Sequence, residues 1–136
     1  MDLKIKHIIL ADDDYDDKDL LEEAIKKNCP DVLFTHADNS TTLFDLLKSS
    51  PAPDIIILDI NMPYLNGNEC LQIIKGNNAL KGIKVIMYST SSNKTDIEES
   101  FLHGADHYVI KPDNIEALHK LAKDICNGTI KSGERY

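Results

Sequence analysis

The stretch Ile55–Pro63, with the sequence IIILDINMP, sets the expected architecture of this chain of 136 residues. Four apolar residues predict a buried strand, which ends at the carboxylate of Asp59 and leads into a turn at Met62-Pro63. Three further apolar runs end in the same way, each in a residue with an acid, a hydroxyl or an amine. These runs lead into Asp12-Asp13-Asp14, Ser89-Thr90 and Lys111-Pro112.

Between these runs lie segments whose apolar residues recur at helical spacing, so strands and helices alternate along the chain. This alternation predicts an α/β fold with a parallel sheet and helices on both faces, because crossovers between parallel strands are right-handed. We expect five strands and five helices in the flavodoxin-like, doubly wound strand order 2-1-3-4-5.

Polar residues and glycines mark the expected ends of the helices. Ser40 and Asp113 precede apolar stripes and are expected N-caps, whereas Gly104 and Gly128 supply the left-handed turns that end the last two helices. The inward faces of the helices are expected to include Leu20, Leu46, Phe101, Leu102 and Ile115.

Composition limits the kinds of partner. The chain carries 15 basic and 23 acidic residues and a formal net charge of −8, so its overall field repels nucleic acid. Its apolar runs are only about four residues long, far below the roughly 20 that span a bilayer, and the chain begins without the apolar core of a signal peptide. We therefore expect a cytoplasmic protein that binds neither nucleic acid nor a membrane.

The cysteines are too few and too widely spaced for a disulfide framework or a zinc site. Cys29, Cys70 and Cys126 are an odd number and include no C-x-x-C pair. We expect buried or half-buried free thiols at all three positions.

The polar residues at the strand ends are expected to form one site. In a parallel sheet all strand C-termini share an edge, and the order 2-1-3-4-5 brings Asp12 and Asp13 beside Asp59, with Ser89 and Lys111 flanking them. Carboxylates about 4 Å apart repel by roughly 4 kcal/mol per pair at an effective dielectric near 20. An all-oxygen site of this kind favours Mg²⁺, with Mn²⁺ as a substitute. Three other acids in this segment are expected only at the surface or as helix caps, namely Asp14, Asp16 and Asp17.

Taken together, these motifs resemble the receiver domain of two-component response regulators, the CheY-like family. The resemblance extends over roughly residues 6–126, and all of its elements occur in the family's order. They are the acidic segment Leu10–Asp14, the segment Leu58–Pro63 with Gly67, the hydroxyl in Tyr88-Ser89-Thr90, and the segment Tyr108–Pro112.

The resemblance implies a phosphorylation site at Asp59. In the family, the matching aspartate accepts a phosphoryl group from a phosphohistidine on a sensor histidine kinase or a histidine phosphotransfer protein. Mg²⁺ would be held by Asp13, by Asp59 and by the main-chain carbonyl of Asn61, and through water by Asp12.

The resemblance also implies roles for residues around the phosphoryl group. Ser89 would donate a hydrogen bond to it, Lys111 would pair with it, and Tyr108 matches the aromatic residue that switches position on phosphorylation. The family's peptide bond at Lys111-Pro112 is usually cis. Two further positions tune how fast the phosphoryl group is lost, and they match Asn61 and Ser91.

We therefore expect a single-domain response regulator, with a receiver domain over residues 1–127, a tail over 128–136 and no effector domain. It would act as a switch rather than an enzyme, as a monomer or weak homodimer, on a downstream protein that the sequence does not identify. One alternative is a Mg²⁺-dependent phosphohydrolase that forms an aspartyl phosphate. It would need an acid/base carboxylate two residues after Asp59, where the chain has Asn61. The other is a pseudo-receiver that serves only as a binding module.

Overall fold

The computed structural model describes residues 5–133 and Tyr136. Within these residues five strands alternate with five helices, as the sequence predicts. The elements are β1 (His7–Ala11), α1 (Tyr15–Asn28), β2 (Leu33–Ala37), α2 (Ser40–Ser49), β3 (Ile55–Asp59), α3 (Gly67–Gly76), β4 (Lys84–Ser89), α4 (Lys94–Leu102), β5 (His107–Ile110) and α5 (Ile115–Asn127).

The strands form one parallel sheet in the order β2-β1-β3-β4-β5, which confirms the predicted topology. The last residue of β1, Ala11, pairs with Leu58. One residue further along each strand, Asp12 therefore lies level with Asp59. The register of the two central strands thus sets the first two carboxylates side by side.

Alternating residues of the strands feed two apolar cores on opposite faces of the sheet. In β1, for example, Ile8 and Leu10 join the core beneath α1 and α5, whereas Ile9 joins the core beneath α2 and α3. The central strand β3 is buried along its whole length. Each fully buried isoleucine or leucine contributes about 1.5–3 kcal/mol, so these cores fix the strand ends that carry the polar residues.

Asparagines, rather than the expected serine and aspartate, cap two of the helices. Asn39 accepts a hydrogen bond from the Thr42 N–H at the start of α2, and Asn114 caps α5 in the same way. Ser40 and Asp113 are therefore not the N-caps. In each case two adjacent residues could cap, and the asparagine, with extended backbone angles, is the one whose side chain accepts from the first turn. Ser40 is instead buried, and its hydroxyl accepts from the main-chain N–H of Leu65.

Several apolar residues expected to face inward are exposed. They include Leu102, whose exposed fraction is 82%, and also Leu20, Phe101 and Ile115. Helix α4 explains two of these differences, because Ser100 is the residue that it buries, with its hydroxyl 3.3 Å from Asn68 Oδ1 on α3. In the part of the chain that the structure describes, no helix has the length and apolarity of a membrane span.

Two of the three cysteines form a disulfide, so the expectation of free thiols is wrong for them. Cys29 directly follows α1 and Cys126 lies near the end of α5, and these helices pack side by side on one face of the sheet. The two cysteines are 97 residues apart in sequence, so the sequence pattern does not indicate that they are close in space. Cys70 is a free, buried thiol, and burial raises its pKa to about 11.

The segment after α5 folds back onto the domain. Gly128 has a φ of 73° and ends α5, as predicted. The Gly133 N–H then donates a hydrogen bond to the Tyr108 carbonyl in β5, and the Tyr136 hydroxyl donates one to Asp124. The described part of the expected tail is therefore tied to the last strand and the last helix.

Candidate functional site

The polar residues at the strand ends meet at one edge of the sheet. Asp12 directly follows β1, Asp59 ends β3, Ser89 ends β4 and Lys111 directly follows β5. Because these four strands are parallel, their C-terminal ends open onto the same edge. Of the five residues that the sequence predicts at this edge, Asp13 alone is exposed, whereas Asp12, Asp59 and Ser89 are buried.

Three carboxylates converge at the centre of this edge. Asp12, Asp13 and Asp59 each offer an oxygen within 4.8 Å of the other two. Carboxylates so close in a partly buried site repel one another unless a cation compensates them. Oxygen donors alone, with an open side toward solvent at Asp13, are the donor set that suits Mg²⁺ or Mn²⁺ rather than zinc. The residues present therefore fit a hard divalent cation.

The ammonium group of Lys111 lies among carboxylates. Its Nζ is 3.1 Å from Asp12 Oδ2, 3.4 Å from Asp59 Oδ2 and 2.9 Å from Asp17 Oδ2. Nζ also lies 5.2 Å from the centre of the Tyr88 ring, in cation–π range. The Lys111 side chain is 11% exposed, so one buried cation offsets part of the negative charge at the site.

The ionisation of the two central groups reflects burial and their neighbours. Burial raises the pKa of Asp59 to about 7; the nearby Lys111 ammonium opposes this effect, and Asp12 adds to it. Burial alone would lower the pKa of Lys111, but the hydrogen bond to Asp17 and the charges of Asp59 and Asp12 outweigh it and raise that pKa. Without a bound cation, Asp59 is therefore partly protonated at neutral pH, whereas Lys111 stays charged.

A chain of hydrogen bonds leads away from Ser89 toward β5. The Ser89 hydroxyl oxygen accepts from the main-chain N–H of Ser91 at 3.0 Å, and the Ser91 carbonyl accepts from the Tyr108 hydroxyl at 2.9 Å. The Ser91 hydroxyl in turn donates to Asp96 on α4. Tyr108 is fully buried. The loop after β4 thus connects the hydroxyl at the site with the aromatic residue of β5 and with α4.

Main-chain contacts shape the segment that follows Asp59. The Asn61 N–H donates to Asp59 Oδ1 at 3.2 Å, and the Gly67 N–H donates to the Ile60 carbonyl at 2.8 Å. Gly67 lies so close that a Cβ there would meet the Asp59 carbonyl oxygen and would lie 2.8 Å from Ile60 Cα. The Lys111-Pro112 peptide is trans, in contrast to the cis bond that the resemblance implies.

The sequence pattern does not predict the contact between Asp17 and Lys111 at this site. The pattern places Asp17 among surface and capping residues, but its carboxylate is the nearest of the three to Lys111 Nζ. The signal that could have indicated this contact is the position of Asp17 in the first turn of α1. Side chains in the first turn of a helix point back toward its N-terminus, and α1 begins directly beside the acidic strand end. Asp14 caps this helix, in line with the prediction.

Comparison with known proteins places relatives of the chain among response regulators. The family model for the response regulator receiver domain matches residues 8–123. The response regulator Rcp1 of Synechocystis is 32% identical over 126 residues, which cover 88% of this chain and 86% of Rcp1.

Solved structures agree in fold. The phosphorylated cyanobacterial phytochrome response regulator RcpA superposes with a TM-score of 0.84 at 28% identity, over 94% of this chain and 98% of RcpA. The Mn²⁺-bound form of Rcp1 gives a TM-score of 0.82 at 29% identity, over 93% and 98% of the two chains. Receiver domains of this family are signalling switches rather than enzymes of a classical family. This chain belongs to the family of response regulator receiver domains.

Proposed function

We propose that this protein is a phosphoacceptor switch in a two-component phosphorelay and that Asp59 receives the phosphoryl group. One observation carries the proposal: the Asp59 carboxylate lies within 4.8 Å of those of Asp12 and Asp13 and 3.4 Å from the Lys111 ammonium. Phosphoryl transfer needs little from a protein beyond an aligned nucleophile and compensation of the charge on the phosphoryl oxygens. A carboxylate, a cation site and an ammonium group meet both needs.

The donor would be a phosphohistidine on a histidine kinase or a phosphotransfer protein. A carboxylate oxygen of Asp59 attacks the phosphorus atom, and an acyl phosphate forms as the bond from phosphorus to the imidazole nitrogen breaks. The electron pair of that bond stays on the nitrogen, and the departing imidazole takes up a proton from water, so the donor histidine ends as a neutral imidazole. Lys111 pairs with the phosphoryl oxygens, and the Ser89 hydroxyl donates a hydrogen bond to one of them.

Asp13, Asp59 and the main-chain carbonyl of Asn61 would hold Mg²⁺, and Asp12 would hold it through water. A bound cation there would offset the repulsion among the carboxylates and neutralise charge on the transferred group. The Mn²⁺-bound form of Rcp1 supports the binding of a divalent ion by this chain, and Mn²⁺ is the expected substitute.

The switch would begin at Ser89. Its hydroxyl oxygen now accepts from Ser91, and turning toward a phosphoryl group on Asp59 would disturb the loop whose carbonyl holds the Tyr108 hydroxyl. Ser91 also contacts Asp96 on α4, so the change would reach the face formed by α4, β5 and α5. A downstream protein would recognise this altered face. Asn61, which contacts Asp59, and Ser91, which contacts Ser89, would tune how long the phosphoryl group persists.

The decisive experiment is incubation with acetyl phosphate and Mg²⁺, followed by intact-protein mass spectrometry. We expect the addition of one phosphoryl group per chain, with no addition when EDTA removes the cation. Release of many equivalents of inorganic phosphate per minute would instead indicate a phosphohydrolase. A chain that is neither labelled nor active in hydrolysis would be a pseudo-receiver, and the proposal would be wrong.

Mg²⁺ should also stabilise the unphosphorylated protein, because a ligand that binds only the folded state raises its melting temperature. At ten times the dissociation constant the gain is about 1.4 kcal/mol, or roughly 3–6 °C for a domain of this size. An Asp13→Asn variant should lose this response and, because one repulsive charge is gone, should melt no lower than the parent protein in EDTA. Thermal melts with and without Mg²⁺ measure both effects. Asp16→Asn, with the same charge change in the same segment, should keep the full response; an equal loss there would show a nonspecific charge effect.

A further inference from the structure

The contacts of Lys111 divide into two kinds once the cation site is considered. Asp12 and Asp59 belong to the cluster that fits a divalent cation, whereas Asp17 does not. A cation bound by that cluster would repel the ammonium group and would occupy oxygens that now accept from it. Asp17 is the nearest of the three carboxylates, at 2.9 Å, and would remain available.

The start of α1 fixes Asp17 for this contact. Its main-chain N–H donates to the capping carboxylate of Asp14 at 3.1 Å, which anchors the first turn of the helix. The N-terminal end of the helix dipole favours a negative charge there. Asp17 is thus held in place by a helix rather than by a flexible loop. Its side chain is 38% exposed, so water weakens the pair without abolishing it.

An aromatic ring also lies near the Lys111 ammonium group. The ring of Tyr88 lies 5.2 Å from Nζ and is itself buried. The ammonium group therefore contacts a carboxylate on α1 and lies near a ring on β4, and neither belongs to the metal cluster.

We propose that Asp17 is a positioning residue that keeps the Lys111 ammonium at the phosphorylation site while Asp12 and Asp59 bind the cation. This inference rests on the proposed phosphoacceptor function. It assigns to Asp17 no contact with the phosphoryl group itself. Asp17 acts through Lys111, and its effect must disappear when Lys111 is removed.

The test is a double-mutant cycle on the rate of labelling by acetyl phosphate at saturating Mg²⁺. We expect Asp17→Asn to slow labelling about three- to tenfold, the range for a partly exposed charged hydrogen bond. Asp17→Glu should restore part of the rate, and the matched control Asp16→Asn should leave it unchanged. In a Lys111→Ala background, Asp17→Asn should have no further effect. Equal rates for Asp17→Asn and Asp16→Asn, or an undiminished effect without Lys111, would overturn the inference.

A second readout does not depend on turnover. In ¹⁵N-labelled protein, ammonium protons that are held by hydrogen bonds exchange slowly with water and give an observable lysine signal, which Lys111→Arg assigns by its loss. We expect this signal in the parent protein and in Asp16→Asn, with and without Mg²⁺. In Asp17→Asn it should vanish when Mg²⁺ is added; its persistence would overturn the inference. If the parent protein is not labelled at all, the proposed function fails and the inference fails with it, whereas labelling of the parent with no Asp17 effect removes the inference alone.

Discussion

Asp59→Asn is expected to leave the chain unlabelled by acetyl phosphate and, without a cation, to make it more stable at neutral and alkaline pH. The amide has no anionic oxygen to attack phosphorus, so the loss of labelling should be complete. The gain in stability has a different cause. An ionised Asp59 is buried beside Asp12, and the neutral amide removes that unfavourable charge.

The sign of the pH dependence follows from the raised pKa. In the folded protein the pKa of Asp59 is about 7, and in the unfolded chain it is about 3.9. Between these values the folded state holds a proton that the unfolded state has lost, so the contribution of Asp59 to stability declines as pH rises from about 4 to about 7. In the Asp59→Asn variant, residue 59 does not titrate, so its contribution to stability does not decline with pH. Its advantage should therefore be near zero at about pH 4 and should reach about 2–4 kcal/mol at about pH 8.

Urea unfolding in EDTA across this pH range measures the difference between the two proteins. Comparing the variant with the parent cancels the contributions of carboxylates such as Asp106 and Asp124, whose hydrogen bonds lower their pKa despite partial burial and whose stabilisation is lost toward acid pH. Asp16→Asn serves as the control for a change of one charge. A variant that is labelled would contradict the role of Asp59, and a variant that is less stable than the parent at about pH 8 would contradict its desolvation.

Gly67→Ala is expected to have the largest effect on stability of any single-methyl change in the described chain. The added Cβ would meet the carbonyl oxygen of Asp59 and would lie 2.8 Å from Ile60 Cα, and neither can move without shifting the backbone of the site. Gly67 also donates to the Ile60 carbonyl, so the same shift weakens a hydrogen bond. We expect a loss of about 3 kcal/mol, at the upper end of the usual range for overpacking.

Gly76→Ala is the matched control, because Gly76 ends the same helix and a Cβ there would meet no atom within 4 Å. That variant should be unchanged or slightly more stable, by about 0.4–1 kcal/mol, since alanine restricts the unfolded chain. Thermal melts separate the two variants, and phosphodonor labelling should be slower in Gly67→Ala alone. Equal melting temperatures for both variants would show that the backbone near Asp59 yields easily.

Local patterns were sufficient to predict the sheet and the edge at which the polar residues meet. Buried strands that end in Asp59 or Ser89 are visible as short apolar runs, and the strand order follows from general rules of parallel sheets. The N-caps of the helices were harder to predict. Asn39 and Ser40 are both suitable N-cap residues for α2, and only the backbone angles distinguish them. In α4 the expectation holds for Ile97, which packs against the core, but Ser100 is buried in place of Phe101 and Leu102, because the helix has too few apolar residues to fix its rotation.

Contacts between distant segments could not be predicted from local patterns. The proximity of Asp17 to Lys111 spans 94 residues and depends on the direction of one side chain in a helix turn. The Cys29–Cys126 disulfide depends on how α1 and α5 pack together. Both features arise from tertiary packing, on which hydrophobic periodicity gives no information.

The disulfide has a mechanical consequence for the site. Helices in this topology run back from the site edge, so Cys29 and Cys126 join α1 and α5 at the opposite edge of the sheet. With its 14 residues, α1 carries Asp17 about one helix length, roughly 20 Å, from that covalent joint. Any separation of the two helices must therefore pivot at the joint and reach its greatest amplitude beside Lys111, where the phosphoryl group would arrive.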